Sequence, residues 1–132
     1  MSESLVATHR LENGLELSFH DQGNRYFGDY HQVKIIVSCR VVLNNDLLSS
    51  HLSSEDLQKA TQIFGDHVDY KRIIKQMGVA GDDVEQVKAL MVKNFIENAA
   101  KYMQSEDFAS RFVARRLTEH RNRSRMHLVG HD

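Results

Sequence analysis

Two histidines and two aspartates bracket the aromatic-rich stretch 21–30 of this 132-residue chain: His20 and Asp21 at one end, Asp29 and His31 at the other. Two imidazoles and two carboxylates are a donor set suited to Zn²⁺ or a similar ion, or to acid–base work. They can act together only if the strands flanking the stretch pair as neighbours, so that the chain returns on itself. No H-x-H or H-E-x-x-H spacing accompanies them, so solvated turn residues are the competing reading. The other histidines are scattered, and His9 falls on the apolar face of an expected hairpin.

A second set lies near the end of the chain, in RFVARRLTEHRNRSRMHLVGH. Arg111, Arg115, Arg116, Arg121, Arg123 and Arg125 are its cations, and no lysine accompanies them. The guanidinium fork matches phosphate and carboxylate geometry, which an ammonium does not. Residues 1–110 hold 11 Lys+Arg against 16 Asp+Glu, a balance of −5; residues 111–132 hold six Arg against Glu119 and Asp132, a balance of +4. This basic end on an acidic body admits three readings: a nucleic-acid contact, an arm that docks on the acidic body of the same or a second copy, or a solvated helix face. A net charge of −1 and a pI near 6.7 are not those of a dedicated nucleic-acid binder.

Signatures of known catalytic sites are missing. The chain has no G-x-G-x-x-G, P-loop, G-x-S-x-G or paired CxxC. No cofactor and no small-molecule substrate is implied. Cys39 is the single cysteine, which excludes an intrachain disulfide and a cysteine-rich metal site. It sits mid-strand on an apolar face, a setting for a small core residue rather than a nucleophile.

The element that must position these groups is His31–Leu43, HQVKIIVSCRVVL. Six of its seven odd positions are apolar, and four of its six even positions are polar. That period of two marks a strand with one face on a core. Thirteen residues would extend roughly 43 Å, so a bulge, a bend or an earlier end is expected. Before it, residues 7–12 and 15–20 read as a hairpin around Asn13-Gly14. A two-residue loop would set Leu11 against Glu16 and mix the faces. A three-residue loop, Glu12-Asn13-Gly14, sets Leu11 opposite Leu15, His9 opposite Leu17 and Ala7 opposite Phe19, with Gly14 at positive φ. Residues 21–30 read as a loop whose Tyr26, Phe27 and Tyr30 either fold over the sheet edge or meet a partner.

After the long strand, Asn44-Asn45-Asp46 break the pattern and residues 47–52 are ambiguous. Ser53 or Ser54 caps a short helix to about Phe64, with Leu57, Ala60, Thr61 and Phe64 on one stripe, and Gly65 ends it. Residues 66–77 fit a helical stripe (Tyr70, Ile73, Ile74, Met77) nearly as well as a strand. The long strand needs a second neighbour for its backbone groups, and a fourth strand is preferred on that ground. Residues 82–104 form a helix with Asp82 as N-cap and Glu85 as its capping-box partner. Its apolar stripe is Val84, Val87, Leu90, Met91, Phe95, Ala99, Tyr102 and Met103. Ser105 caps a further helix that buries Phe108, Phe112, Val113 and Leu117 and frays beyond about His120.

The run RLENGLELSFHDQ, the GDYH leading into the long strand, and MGV followed by the capped helix ending NFIEN are similar to a group of small uncharacterised bacterial proteins. The resemblance covers most of the chain. It implies a small bacterial cytosolic domain and carries no activity or site residues.

The expected fold is α+β: an antiparallel meander of three or four strands, followed by two or three helices packed on one face. One domain is expected over 1–121, with a basic, flexible tail over 122–132. No apolar run approaches the ~20 residues of a membrane span, and the N-terminus lacks the pattern of a signal peptide, so a cytoplasmic protein without membrane contact is expected. The function expected first is a non-enzymatic, protein-binding homodimer, acting through the Arg-rich end or an open sheet edge. Nucleic-acid binding through the Arg run, or a small metal enzyme built on His20, Asp21, Asp29 and His31, are the alternatives.

Overall fold

The computed structural model describes residues 4–43, 52–105 and 107–129; for Tyr26, Phe27 and residues 125–129 the description is of the backbone. The expected break at Asn44, Asn45 and Asp46, residues 47–51 and Glu106 lie outside the described residues. The chain is α+β: the described residues form a five-stranded antiparallel sheet and three helices. It divides into two compact units, one of residues 1–40 and 69–104, the other of residues 41–68 and 105–132.

The first unit begins with the hairpin of β1 (Ser4–Arg10) and β2 (Glu16–Asp21). Ala7 faces Phe19 and His9 faces Leu17. Leu11 N–H donates to the Leu15 carbonyl at 2.7 Å, which closes the three-residue loop. Gly14 takes φ 91°, a conformation that any side chain would strain. Burying Leu11, Leu15, Leu17 and Phe19 on one face selects this register over its one-residue alternative.

The stretch 21–30 is not a loop. Asn24–Phe27 form β3, and Gly28 (φ 56°) and Asp29 turn the chain into β4, Tyr30–Val42. β2 and β3 are successive lengths of one arm: Leu17 faces Cys39, Asp21 faces Ile35, Asn24 faces Gln32 and Arg25 faces His31. This is why there are five strands. It also explains how β4 keeps thirteen residues, with alternate burial from Gln32 to Val42. Its backbone has partners along both edges, and the irregularities fall in the arm, between Arg25 and Phe27, and in β1, between Leu5 and Ala7.

The second long neighbour of β4 is β5, His67–Ala80. Leu43 N–H reaches the Asp66 carbonyl at one end of the pair and Gly81 N–H reaches the Asp29 carbonyl at the other, both at 2.9 Å, which makes the two strands antiparallel. The demand of β4 for hydrogen-bond partners outweighs the helical spacing of Tyr70, Ile73, Ile74 and Met77. Gly78 takes φ 72° within the strand and does not end a helix.

A single 3-10 turn, Gly81–Asp83, leads into α2, Val84–Met103. The expected capping box does not form: Asp83 holds the N-cap position without a side-chain bond, and Glu85 instead pairs with Lys88 at 2.7 Å. Tethering Gly81 to Asp29 brings the chain in through the tight turn, which moves the helix start past Asp82. α2 buries Val92, Phe95, Ala100 and Met103, and Phe95 meets Phe19 edge-to-face at 5.8 Å. Leu90 and Tyr102, expected in the core, are 53% and 51% exposed.

The second unit holds α1 (Ser54–Phe64) and α3 (Phe108–Val129). Ser53 caps α1, its hydroxyl accepting from Asp56 N–H at 3.1 Å, and Gly65 leaves the helix at φ 90°. Ala60, Phe108, Val113 and Leu117 are buried. α3 stays helical past His120, to Val129.

Candidate interaction site

The four residues of the candidate metal or acid–base set do not meet. His20 faces Ile36, whereas His31 faces Arg25, five residues further along the same arm. At strand rise that separation is about 16 Å. Successive residues also alternate faces, so His20 and Asp21 point apart. Asp21 has its own partners: Oδ1 accepts from Gly23 N–H at 2.8 Å and Oδ2 from Lys88 Nζ at 3.0 Å. Burial alone would push the Asp21 carboxyl up, but these hydrogen bonds outweigh it and hold the carboxyl below its usual value. Asp29 receives Gly81 N–H on both its carbonyl and its Oδ2. A Cβ on Gly81 would collide with that carboxylate. The two aspartates therefore fasten the sheet to α2 and its entry turn. Among the described residues no three His, Cys, Asp or Glu side chains gather as a metal site.

Cys39 is 1% exposed, and burial, with the Asp69 carboxylate nearby, pushes its thiol up to about 11. That is the wrong direction for a nucleophile.

The arginines of α3 do not share one face. Arg111 and Arg115 follow each other at i, i+4, and Arg121 falls well around the helix from them at about 100° per residue. Arg111 pairs with Asp107 at 2.7 Å, and Arg116 lies over the Phe64 ring at 6.0 Å. Arg115, Arg121 and Arg123 are exposed, and none has an acidic partner among the described residues. The side chain of Arg125 lies outside the described residues. Of the three aromatics, Tyr30 is 51% exposed at the start of β4; Tyr26 and Phe27 belong to β3 by backbone, and their side chains lie outside the described residues.

One concave surface is not revealed by the spacing of candidate ligands. It is a groove of about 500 Å³ between β5 and α2. Arg72, Ile74, Lys75 and Gln76 form its strand side; Met91, Asn94, Phe95, Asn98, Ala99 and Tyr102 form its helix side. The helix residues recur at i, i+3, i+4, i+7, i+8 and i+11, a single stripe. The Arg72 guanidinium lies 6.0 Å from the centre of the Phe95 ring, at the outer reach of a cation–π contact. No carboxylate lines the groove. Beside it, β5 is an edge strand: it pairs with β4 and with no other strand among the described residues. Ile73 and Met77 on it are 54% and 56% exposed.

The sequence carried a trace of this site. The apolar stripe assigned to α2, from Leu90 through Met91, Phe95 and Ala99 to Tyr102 and Met103, is wider than one core contact needs. Asn94 and Asn98 interrupt it four residues apart. A stripe that broad, broken by amides, is shared between a core and a second surface.

No family model, curated protein or solved structure matches the chain. Among the described residues no helix is long and apolar enough to cross a membrane.

Proposed function

We propose that this chain is a non-enzymatic protein-interaction domain that receives an extended segment of a partner along the β5 edge, with the α2 groove reading side chains of that segment. The carrying observation is the juxtaposition of a strand that pairs on one edge only among the described residues, largely exposed over Lys71–Met77, with a groove floored by Ile74, Met91, Phe95 and Ala99. Strand addition takes affinity from main-chain hydrogen bonds and specificity from pockets that hold alternate side chains. The buried, high-pKa Cys39 and the dispersed histidines and aspartates fit a role without catalysis. Selecting random peptides on the full chain, followed by amide exchange of the bound complex, tests this reading. Protection concentrated at residues 71–77 is expected; protection elsewhere, or no selected peptide, overturns it. Light scattering of the full chain at low and high salt then tells whether a second copy is itself a partner.

A second reading rests on Arg115, Arg121 and Arg123, exposed on α3 without acidic partners among the described residues. They support phosphate contact and nucleic-acid binding. A gel shift that survives the triple change to glutamine removes this reading.

A further inference from the structure

The β5 edge carries its own charge pattern. Arg72 reaches Phe95, so Arg72, Ile74 and Gln76 face α2. By alternation, Lys71, Ile73, Lys75 and Met77 belong to the opposite face of the strand, with Lys75 also reaching the groove's rim. That face reads cation, apolar, cation, apolar, and all four residues are exposed. Neither Lys71 nor Lys75 has an ion pair among the described residues, and Asp69, the acidic residue closest along the strand, holds Arg40 at 3.1 Å.

Resting on the docking reading above, we infer that the partner segment is an extended acidic peptide: two carboxylates four residues apart on one face, an apolar residue midway between them, and uncharged side chains on the other face. The carboxylates lie beside Lys71 and Lys75, and the apolar residue beside Ile73. The inward side chains enter a groove whose floor is apolar and whose rim carries the amides of Asn94, Asn98 and Gln76. Opposite charges on adjacent strands attract and like charges repel, so the same lysines discriminate against basic segments. They also discourage a second copy from pairing β5 on β5, because Lys71, Arg72 and Lys75 of each copy would crowd one short ladder. A peptide is favoured over a nucleic acid here because the open backbone edge offers strand hydrogen bonds, which a nucleotide backbone does not return.

The test uses the full chain and three synthetic peptides, followed by fluorescence anisotropy and by amide exchange at residues 71–77. The first is a Thr/Val peptide with two glutamates at the stated spacing, the second replaces both glutamates by lysine, and the third is the acidic peptide with proline at its central positions. The acidic peptide is expected to bind about tenfold tighter than the lysine peptide, to protect residues 71–77, and to weaken as salt rises. The proline peptide is expected not to bind. Lys71→Glu with Lys75→Glu is expected to reverse the preference; these residues are exposed, so the fold is retained. Equal binding of acidic and lysine peptides, with residues 71–77 protected by both, overturns the charge inference and leaves the docking reading standing. No protection of 71–77 by any peptide overturns both.

Discussion

Lys88 Nζ lies 3.0 Å from Asp21 Oδ2, joining the fifth residue of α2 to the last residue of β2 across 67 positions of sequence. The same ammonium meets Glu85 at 2.7 Å. The lysine side chain is 14% exposed and the aspartate 26%, so water screens this pair less than a surface ion pair. The hydrogen bond that Lys88 donates to Glu85, then its interaction with Asp21, holds the Lys88 pKa above 10.5 against the opposing effect of burial.

The Asp21 carboxyl titrates below its reference value of 3.8. Its contribution to stability is therefore complete above 3.8 and is lost as pH falls through the lower, folded value. Asp21→Asn should be less stable than the parent at neutral pH, with the difference closing in the acid range. Lys88, raised, contributes fully below 10.5 and loses its contribution as pH rises through the folded value. Lys88→Met should cost about 1–2 kcal/mol at neutral pH. Urea melts from neutral pH into the acid range check the first and melts into the alkaline range check the second; an Asp21→Asn difference that grows towards low pH contradicts the assignment.

The Cys39 thiol, at about 11 and buried, should resist alkylation. Iodoacetamide at neutral pH is expected to leave the native chain unmodified and to label it promptly in denaturant. Rapid labelling of the native chain would contradict the burial.

Asn13 joins two distant parts of the first unit. Its Oδ1 accepts from Leu15 N–H at 3.1 Å, and its Nδ2 donates to the Met103 carbonyl at 3.0 Å. That carbonyl is one of those a helix C-terminus leaves without a partner. Asn13→Ala should cost about 1–2 kcal/mol. Asn13→Asp keeps the acceptor, loses the donor and sets a negative charge at the negative end of α2, so it should destabilise at least as much. Thermal melts of the two variants decide.

Ser53→Ala removes the bond to Asp56 N–H that caps α1 and should cost about 1 kcal/mol, whereas Ser53→Asp should be nearly neutral. Equal losses would mean that the cap contributes nothing.

Phe95→Ala removes the ring between Phe19 and Arg72 and should cost about 3–5 kcal/mol. Tyr102→Ala, at the exposed rim of the same groove, should lower stability far less. Comparing the two by urea melts separates the part of the stripe that is core from the part left for a partner.

Local patterns determined by themselves the hairpin register around Asn13-Gly14, the buried face of β4, and the limits of α1 to within the choice of Ser53 or Ser54 as its cap. Each rests on a period, a cap or a turn residue that acts within a few positions, so the physics is contained in the string of residues. Tertiary structure decided the rest. Residues 66–77 satisfy two periods, and the need of β4 for a second hydrogen-bonded neighbour chose the strand. The stretch 24–27 has turn formers on both sides, yet it extends because it continues β2 along the same neighbour. The histidines and aspartates at its ends were close in sequence but separated by strand rise, and Asp21 and Asp29 found their partners in Lys88 and Gly81. The broad α2 stripe marks the helix side of the groove, but the groove itself arises only where β5 and α2 come side by side, a relation carried by packing across many positions that local spacing does not encode.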